Sequence, residues 1–178
     1  AVDIDGNVQL DGTFIVGVDD TGYDVKFFGD TAGSFMLWDA SQDRLELTDD
    51  SKIVFGDSAD ASIWHNGTDT YIDNGTGDLV IRNQADDKDI IFKCDDGSGG
   101  TETYFYLDGS ASGGNPITIF PDMSFLTFGG GLDLQIVHTG SESTFTNYTG
   151  DLTFTQQAAD KDIIFQSDDG SGGVETYF

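Results

Sequence analysis

Gln84-Ala85-Asp86-Asp87-Lys88-Asp89-Ile90-Ile91-Phe92 returns 73 residues later as Gln157-Ala158-Ala159-Asp160-Lys161-Asp162-Ile163-Ile164-Phe165. The match continues through Asp95-Asp96-Gly97-Ser98-Gly99-Gly100 and Asp168-Asp169-Gly170-Ser171-Gly172-Gly173, then through Glu102-Thr103-Tyr104-Phe105 and Glu175-Thr176-Tyr177-Phe178. Extended backwards at the same offset it pairs Phe55-Gly56 with Phe128-Gly129, His65 with His138, and Thr76-Gly77-Asp78-Leu79 with Thr149-Gly150-Asp151-Leu152. About half of the 57 positions from Asp49 to Phe105 are identical to their partners, a self-similarity that marks a repeat architecture.

A looser relative stands at the start of the chain. Asp24-Val25-Lys26-Phe27-Phe28 matches Asp89-Ile90-Ile91-Phe92, and Phe35-Met36-Leu37-Trp38-Asp39 matches Tyr104-Phe105-Tyr106-Leu107-Asp108 in pattern. The expected organisation is a divergent partial unit over 1–48, a full unit over 49–121, and a second copy over 122–178 that stops mid-motif. Phe105 is followed by Tyr106-Leu107-Asp108-Gly109 while Phe178 is the last residue, so the sequence reads as a window on a longer array.

The repeat separates two faces. Side chains alternate across a strand, so positions two apart share a side. Ile53/Leu126, Phe55/Phe128, Ile63/Ile136, Ile72/Phe145, Leu79/Leu152, Ile81/Phe154, Ile90/Ile163 and Phe92/Phe165 stay apolar in both copies. Between them Lys52/Phe125, Val54/Thr127, Trp64/Val137 and Val80/Thr153 drift. The fixed set is expected to face inward as the structural core. Strand starts recur about every 8–12 residues, as in all-β folds. Between them lie Asn66-Gly67, Asn74-Gly75, Asp96-Gly97, Asp108-Gly109 and Asp169-Gly170, pairs suited to the positive φ of tight turns.

Composition agrees. Of 178 residues, 33 are acidic and 7 basic, for a net charge of -26, and 29 of the acids are Asp. Asp favours turns over helices because its short side chain bonds the local backbone. Yet 37% hydrophobic and 12% aromatic content is too much packing material for a disordered acidic chain. The charge excludes a phosphate-tracking nucleic-acid surface and argues against anionic membrane. No apolar run is long enough for a spanning helix. Cys94 is the only cysteine, which excludes a disulfide framework and a cysteine-based zinc site.

The expected fold is therefore all-β: short antiparallel strands in a repetitive, elongated fibre of β-prism or β-solenoid type, as an intertwined homotrimer or a single-chain solenoid. A unit of about 73 residues in one-sided strands buries too little to stand alone. Stacked neighbours, or several chains closed around one axis, solve that.

Several motifs carry a resemblance. Asp3-Ile4-Asp5-Gly6-Asn7-Val8-Gln9-Leu10-Asp11-Gly12 leads into Gly17-Val18-Asp19-Asp20-Thr21-Gly22-Tyr23-Asp24 and then Phe35-Met36-Leu37-Trp38-Asp39. Together with Phe55-Gly56-Asp57, Ile63-Trp64-His65-Asn66-Gly67 and Gly131-Leu132-Asp133-Leu134-Gln135-Ile136-Val137-His138, this resembles repeat modules of virion structural and tail-fibre-like proteins of marine bacteriophages. The resemblance covers nearly the whole chain. It implies a non-catalytic shaft segment of a tail fibre or virion appendage at the virion surface, self-associated as a homotrimer and joined to other virion proteins. It also implies an alternative role in binding a host surface glycan or receptor. A calcium-stabilised repeat of a bacterial extracellular adhesin is the rival outside viruses.

The candidate chemistry is sparse. The Asp95-Asp96 and Asp168-Asp169 turns offer oxygen ligands of the kind calcium takes, with Glu102 and Glu175 close behind, but lack the EF-hand pattern; the plain alternative is an acidic β-turn. His65 and His138 fall on the apolar-facing side of their strands, where three copies in a trimer could hold a metal ion; the alternative is a histidine bonded to its own turn. Trp38, Trp64, Tyr71 and Tyr148 could stack on sugar rings, or pack across strands. Carboxylates duplicated in each repeat are poor candidates for a glycosidase pair in a polysaccharide-cleaving tailspike. No Gly-x-Ser-x-Gly elbow occurs, and Gly129-Gly130-Gly131 lacks the Lys-Ser/Thr of a phosphate loop, so no enzyme activity and no cofactor are expected.

Overall fold

In the computed structural model, residues 4–110 and 113–177 are described; Asp3 of the first motif and Phe178 at the end of the repeat match lie outside them. Every regular element among these residues is a β-strand and every pairing of strands is antiparallel. The strands form small meanders with neighbours in chain order. The first comprises β1 (Val25–Phe28), β2 (Phe35–Asp39) and β3 (Arg44–Leu47). The second comprises β4 (Ile53–Phe55), β5 (Ala61–His65) and β6 (Thr70–Asn74). The third comprises β7 (Ile90–Asp95), β8 (Thr101–Asp108) and β9 (Ile117–Ile119). The fourth comprises β10 (Leu126–Phe128), β11 (Leu134–His138) and β12 (Ser143–Asn147), and a last hairpin joins β13 (Gln166–Asp168) to β14 (Val174–Thr176). The chain divides into two compact units, 1–81 and 82–178, a boundary that falls inside the sequence segment 49–121.

The 73-residue offset is conformational as well as sequential. Left-handed backbone recurs at Asp50/Met123 (φ 62 and 64), Ala59/Leu132 (57 and 56) and Asp87/Asp160 (54 and 57). These φ values disfavour ordinary side chains, so each pair marks a turn held by its surroundings. The turn before β5 and its counterpart before β11 share a further constraint. Gly56 and Gly129 both have φ 86, and a Cβ on either would collide with the carboxylate of Asp60 or Asp133, its own repeat equivalent.

The divergent opening segment is the structural counterpart of the third sheet. Val25 opposes Trp38 and Trp38 opposes Leu45, as Ile90 opposes Leu107 and Leu107 opposes Thr118. The supporting hydrogen bonds match too. Asp24 Oδ1 accepts from Ala40 N at 2.9 Å and Asp89 Oδ1 from Gly109 N at 3.0 Å. Asp39 Oδ1 takes both the N–H and hydroxyl of Ser41, and Asp108 Oδ1 those of Ser110. Along the sequence the chain thus alternates two kinds of three-stranded sheet.

Two findings bear on the inner-face expectation. The fixed apolar positions are not a buried core within the chain. Of Ile53, Phe55, Ile63, Leu79, Ile81, Ile90, Phe92, Leu126, Phe128, Ile136, Leu152, Phe154, Ile163 and Phe165, only Ile90 and Leu126 reach even partial burial and the rest are exposed. Among the described residues Val137, 8% exposed and on the drifting face, is the one buried hydrophobic residue. The cause is architectural: a three-stranded sheet has no second layer of its own to close one side. Second, Leu79–Ile81, Leu152–Phe154 and Ile163–Phe165 lie outside the strands. Ile163–Phe165 lead directly into β13, and the Phe165 carbonyl accepts from Tyr177 N at 2.9 Å.

Replacing Gly56 or Gly129 by alanine forces a left-handed, clashing Cβ. Each change is expected to destabilise its sheet by roughly 1–2 kcal/mol, measurable as a lowered denaturant midpoint. An unchanged midpoint would mean that the turn relaxes freely.

Candidate functional site

The dominant surface feature follows from strand register. In the second sheet Ile53 opposes Ile63 and Ile63 opposes Ile72, a row of three isoleucines across three strands. The fourth sheet repeats it as Leu126, Ile136 and Phe145. In the first sheet Val25, Trp38 and Leu45 form one row and Phe27, Met36 and Leu47 the next. In the third, Phe92 opposes Phe105 with ring centroids 4.5 Å apart, and Phe105 stacks on Phe120 at 5.7 Å. Alternation places each set on one side of its sheet. Ile63 and Ile136 are nevertheless 41% and 38% exposed. Contiguous exposed apolar rows of this kind mark interaction surfaces.

The opposite side of the second sheet is occupied locally. Trp64 stacks on Tyr71 across β5 and β6 at 4.7 Å, Lys52 Nζ lies 3.7 Å from the Trp64 ring centroid, and Trp64 Nε1 donates to Asp73 at 2.6 Å. Asn66 donates to the Tyr71 hydroxyl, which donates to Asp69. Trp64 and Tyr71 are therefore cross-strand partners. Trp38 belongs to the apolar row of the first sheet, and Tyr148, 65% exposed, follows β12 in the other unit. The structure brings together two of the four aromatics that could stack on sugar, and does so as a cross-strand pair.

A groove of about 1070 Å³ lies within the second unit and was not foreseen. Tyr104, Tyr106 and Ile91 line it from the third sheet and Phe125, Thr127 and Gln135 from around β10 and β11. These residues lie on the faces opposite the Phe92–Phe105 pair and the Leu126–Ile136–Phe145 row. The Ser124 hydroxyl donates to the Tyr104 carbonyl and so fastens β8 to the turn before β10. Asp89, Glu102 and Asp122 add acidic groups. The signal in the sequence was Tyr104-Phe105-Tyr106, whose alternation sends two tyrosines to the face away from Phe105.

The metal candidates are engaged in their own turns. Asp95 accepts from Gly97 N at 2.9 Å, and Asp96 Oδ1 from Ser98 N at 2.7 Å and Gly100 N at 3.1 Å. Asp168 accepts from Gly170 N, and Asp169 from both the N–H and hydroxyl of Ser171. The Ser98 and Ser171 side chains, followed by backbone N–H groups, hold the Asp96 and Asp169 carboxyls below the usual 3.8. His65 Nδ1 lies 2.9 Å from Gly67 N, from which the unprotonated nitrogen accepts, and 3.0 Å from Asp49 Oδ1, to which a protonated one donates. His138 Nδ1 lies 3.0 Å from Ser143 Oγ, with Nε2 3.9 Å from Asp122, the counterpart of Asp49. Among the described residues no three His, Cys, Asp or Glu side chains converge as a metal site would require.

Because the Asp96 and Asp169 carboxyls are depressed in the folded turn, their stabilisation is complete above the unfolded value of 3.8 and is lost as pH falls through the lower folded value. The Ser98, Gly100 and Ser171 amide resonances are therefore expected to stay constant down to about pH 4 and to shift below it. Asp96→Asn should abolish the shift at Ser98 and Gly100 while sparing Ser171; an unaltered Ser98 titration would refute this turn lock.

No family model, no curated protein and no solved structure matches the chain.

Proposed function

We propose that this chain is a non-catalytic structural segment, a shaft of a bacteriophage tail fibre or virion appendage, working as a homotrimer on the virion surface. The observation that carries self-association is the set of apolar rows Ile53–Ile63–Ile72 and Leu126–Ile136–Phe145, kept apolar at the 73-residue offset and uncovered within the chain. Covering them requires other chains. Copies of the same chain are the natural cover, because each brings an identical row at the same spacing, as closed symmetric assemblies require. Obligate interfaces bury about 2,000–5,000 Å² and resemble a core cut in half. The Asp-rich turns stand at the strand ends, so the charge keeps the outside soluble without occupying the rows. The virion assignment rests on the motif resemblance.

The second reading is a glycan-binding module, and the groove favours it. Tyr104 and Tyr106 offer ring faces, while Asp89, Glu102 and Gln135 offer polar groups of the kind that engage sugar hydroxyls. Calorimetric titration with host-surface polysaccharide fragments tests it: binding that Tyr106→Ala abolishes supports the groove, and binding indifferent to that change removes it. Melting in calcium and in chelator tests the adhesin alternative, which requires a calcium-dependent midpoint.

Light scattering on the eluting chain is expected to give a mass three times 19.1 kDa. The double variant Ile63→Asp and Ile136→Asp puts a charge into both rows and should release monomer at equal concentration. Because every copy carries -26, added salt should shift the equilibrium toward the assembly. A monomeric wild-type chain at all salt concentrations would overturn the trimeric shaft.

A further inference from the structure

Asp78-Leu79-Val80-Ile81-Arg82 and Asp151-Leu152-Thr153-Phe154-Thr155 have strand composition but no strand partner. Leu79 and Ile81 alternate with Val80 and Arg82, as Leu152 and Phe154 alternate with Thr153 and Thr155. Among the described residues the backbone groups of these ten residues make no hydrogen bond to the rest of the chain, and neither segment joins a sheet. Leu79, Ile81, Leu152 and Phe154 are all exposed. A lone apolar extended segment is a strand awaiting an edge.

The chain keeps these segments out of backbone pairing with their own sheets, although the Phe154 ring stays 5.9 Å from that of Phe145 on β12. Each follows the last strand of a meander, where a plain hairpin would fold it back onto β6 or β12. Instead Asn74 Nδ2 donates to the carbonyls of Thr76 and Gly77 at 3.0 and 2.9 Å, and Asn147 Nδ2 to those of Thr149 and Gly150 at 2.9 and 3.0 Å. Gly77 and Gly150 adopt φ 70 and 67, and the residue after each asparagine is tied back, Gly75 N to Asp60 O and Tyr148 N to Asp133 O, both at 2.7 Å. Two copies of the repeat, diverged around this turn, keep the same exit geometry.

We propose that 78–82 and 151–155 are donated strands: each pairs with a sheet edge of another copy of this chain. The inference rests on the self-assembly reading and adds the interaction that would register the copies. Open edges are available, since β4 and β6, and β10 and β12, each lack an outer neighbour in their sheets. Another copy is favoured over a foreign partner because donor and acceptor both recur at the 73-residue offset, so one geometry satisfies every repeat. The windows 79–85 and 152–158 contain no acidic residue, so identical chains of charge -26 can approach there. Strand addition of this type draws affinity from backbone hydrogen bonds and specificity from alternate side chains.

Hydrogen exchange on the unmodified chain tests the proposal. In the assembled protein, peptides over 79–82 and 152–155 should exchange about 100-fold or more slowly than an unstructured peptide. Free exchange in a chain of threefold mass would overturn strand donation and leave the shaft reading intact. Free exchange in a monomer would overturn both. A second test uses proline, which removes an N–H. Alternate amides face opposite edges, so Val80→Pro and Ile81→Pro are made separately, with Ile81→Ala as the packing control. Each change is made together with its repeat partner, Thr153→Pro or Phe154→Pro; at least one paired variant should lose assembly while protection of β5 and β11 persists, and threefold mass retained in both pairs would overturn the proposal.

Discussion

The constraint on which the structure depends is that its sheets are apolar on one side and too narrow to close on themselves. Three strands of three to eight residues make a surface with two faces and two edges, and within the chain the rows of Ile, Leu and Phe stay largely exposed. Local forces are sufficient for each sheet: antiparallel ladders, Asx turns, aspartates bonded to the N–H groups two residues ahead, and aromatic pairs such as Phe92 with Phe105. What they do not provide is burial, the dominant favourable term in folding. Within a single chain built this way that term stays largely unrealised.

The sequence was legible where one strand's own alternation decides the outcome. The repeat located the strands around Ile53, Ile63, Leu126 and Ile136, and the drifting positions between them identified the other face. Even the weak likeness of Asp24–Phe28 to Asp89–Phe92 proved to be a shared register, with Asp24 and Asp89 accepting equivalent backbone N–H groups. Alternation states which residues share a face and is silent on what covers it. Hence fourteen residues share the inward-reading face, and within one chain all but Ile90 and Leu126 stand exposed. Leu79-Val80-Ile81 failed for a related reason: its pattern is that of a strand, but a strand needs a partner, and a side-chain amide at Asn74 redirects the chain before one forms.

The aromatic residues show the same limit. Trp64 and Tyr71 look available one at a time; only the β5–β6 register reveals that they stack on each other, with Lys52 and Asp73 engaging the indole. Tyr104 and Tyr106 drew no notice because they flank a phenylalanine in an ordinary strand. Their groove arises from the fourth sheet lying alongside, a relation between segments that periodicity within either cannot express.

The 73-residue step has a further consequence. Each step carries its own turns, left-handed residues and glycines such as Gly56 and Gly129, so a unit can be duplicated or deleted whole without disturbing its neighbours' internal geometry. Length then becomes a quantity written in integers. Deleting part of a step would join strands of unlike kind, whereas deleting a whole step would leave the order of sheets unchanged. The two copies can therefore drift in sequence, as they have at about half of their positions, while these turn geometries stay fixed.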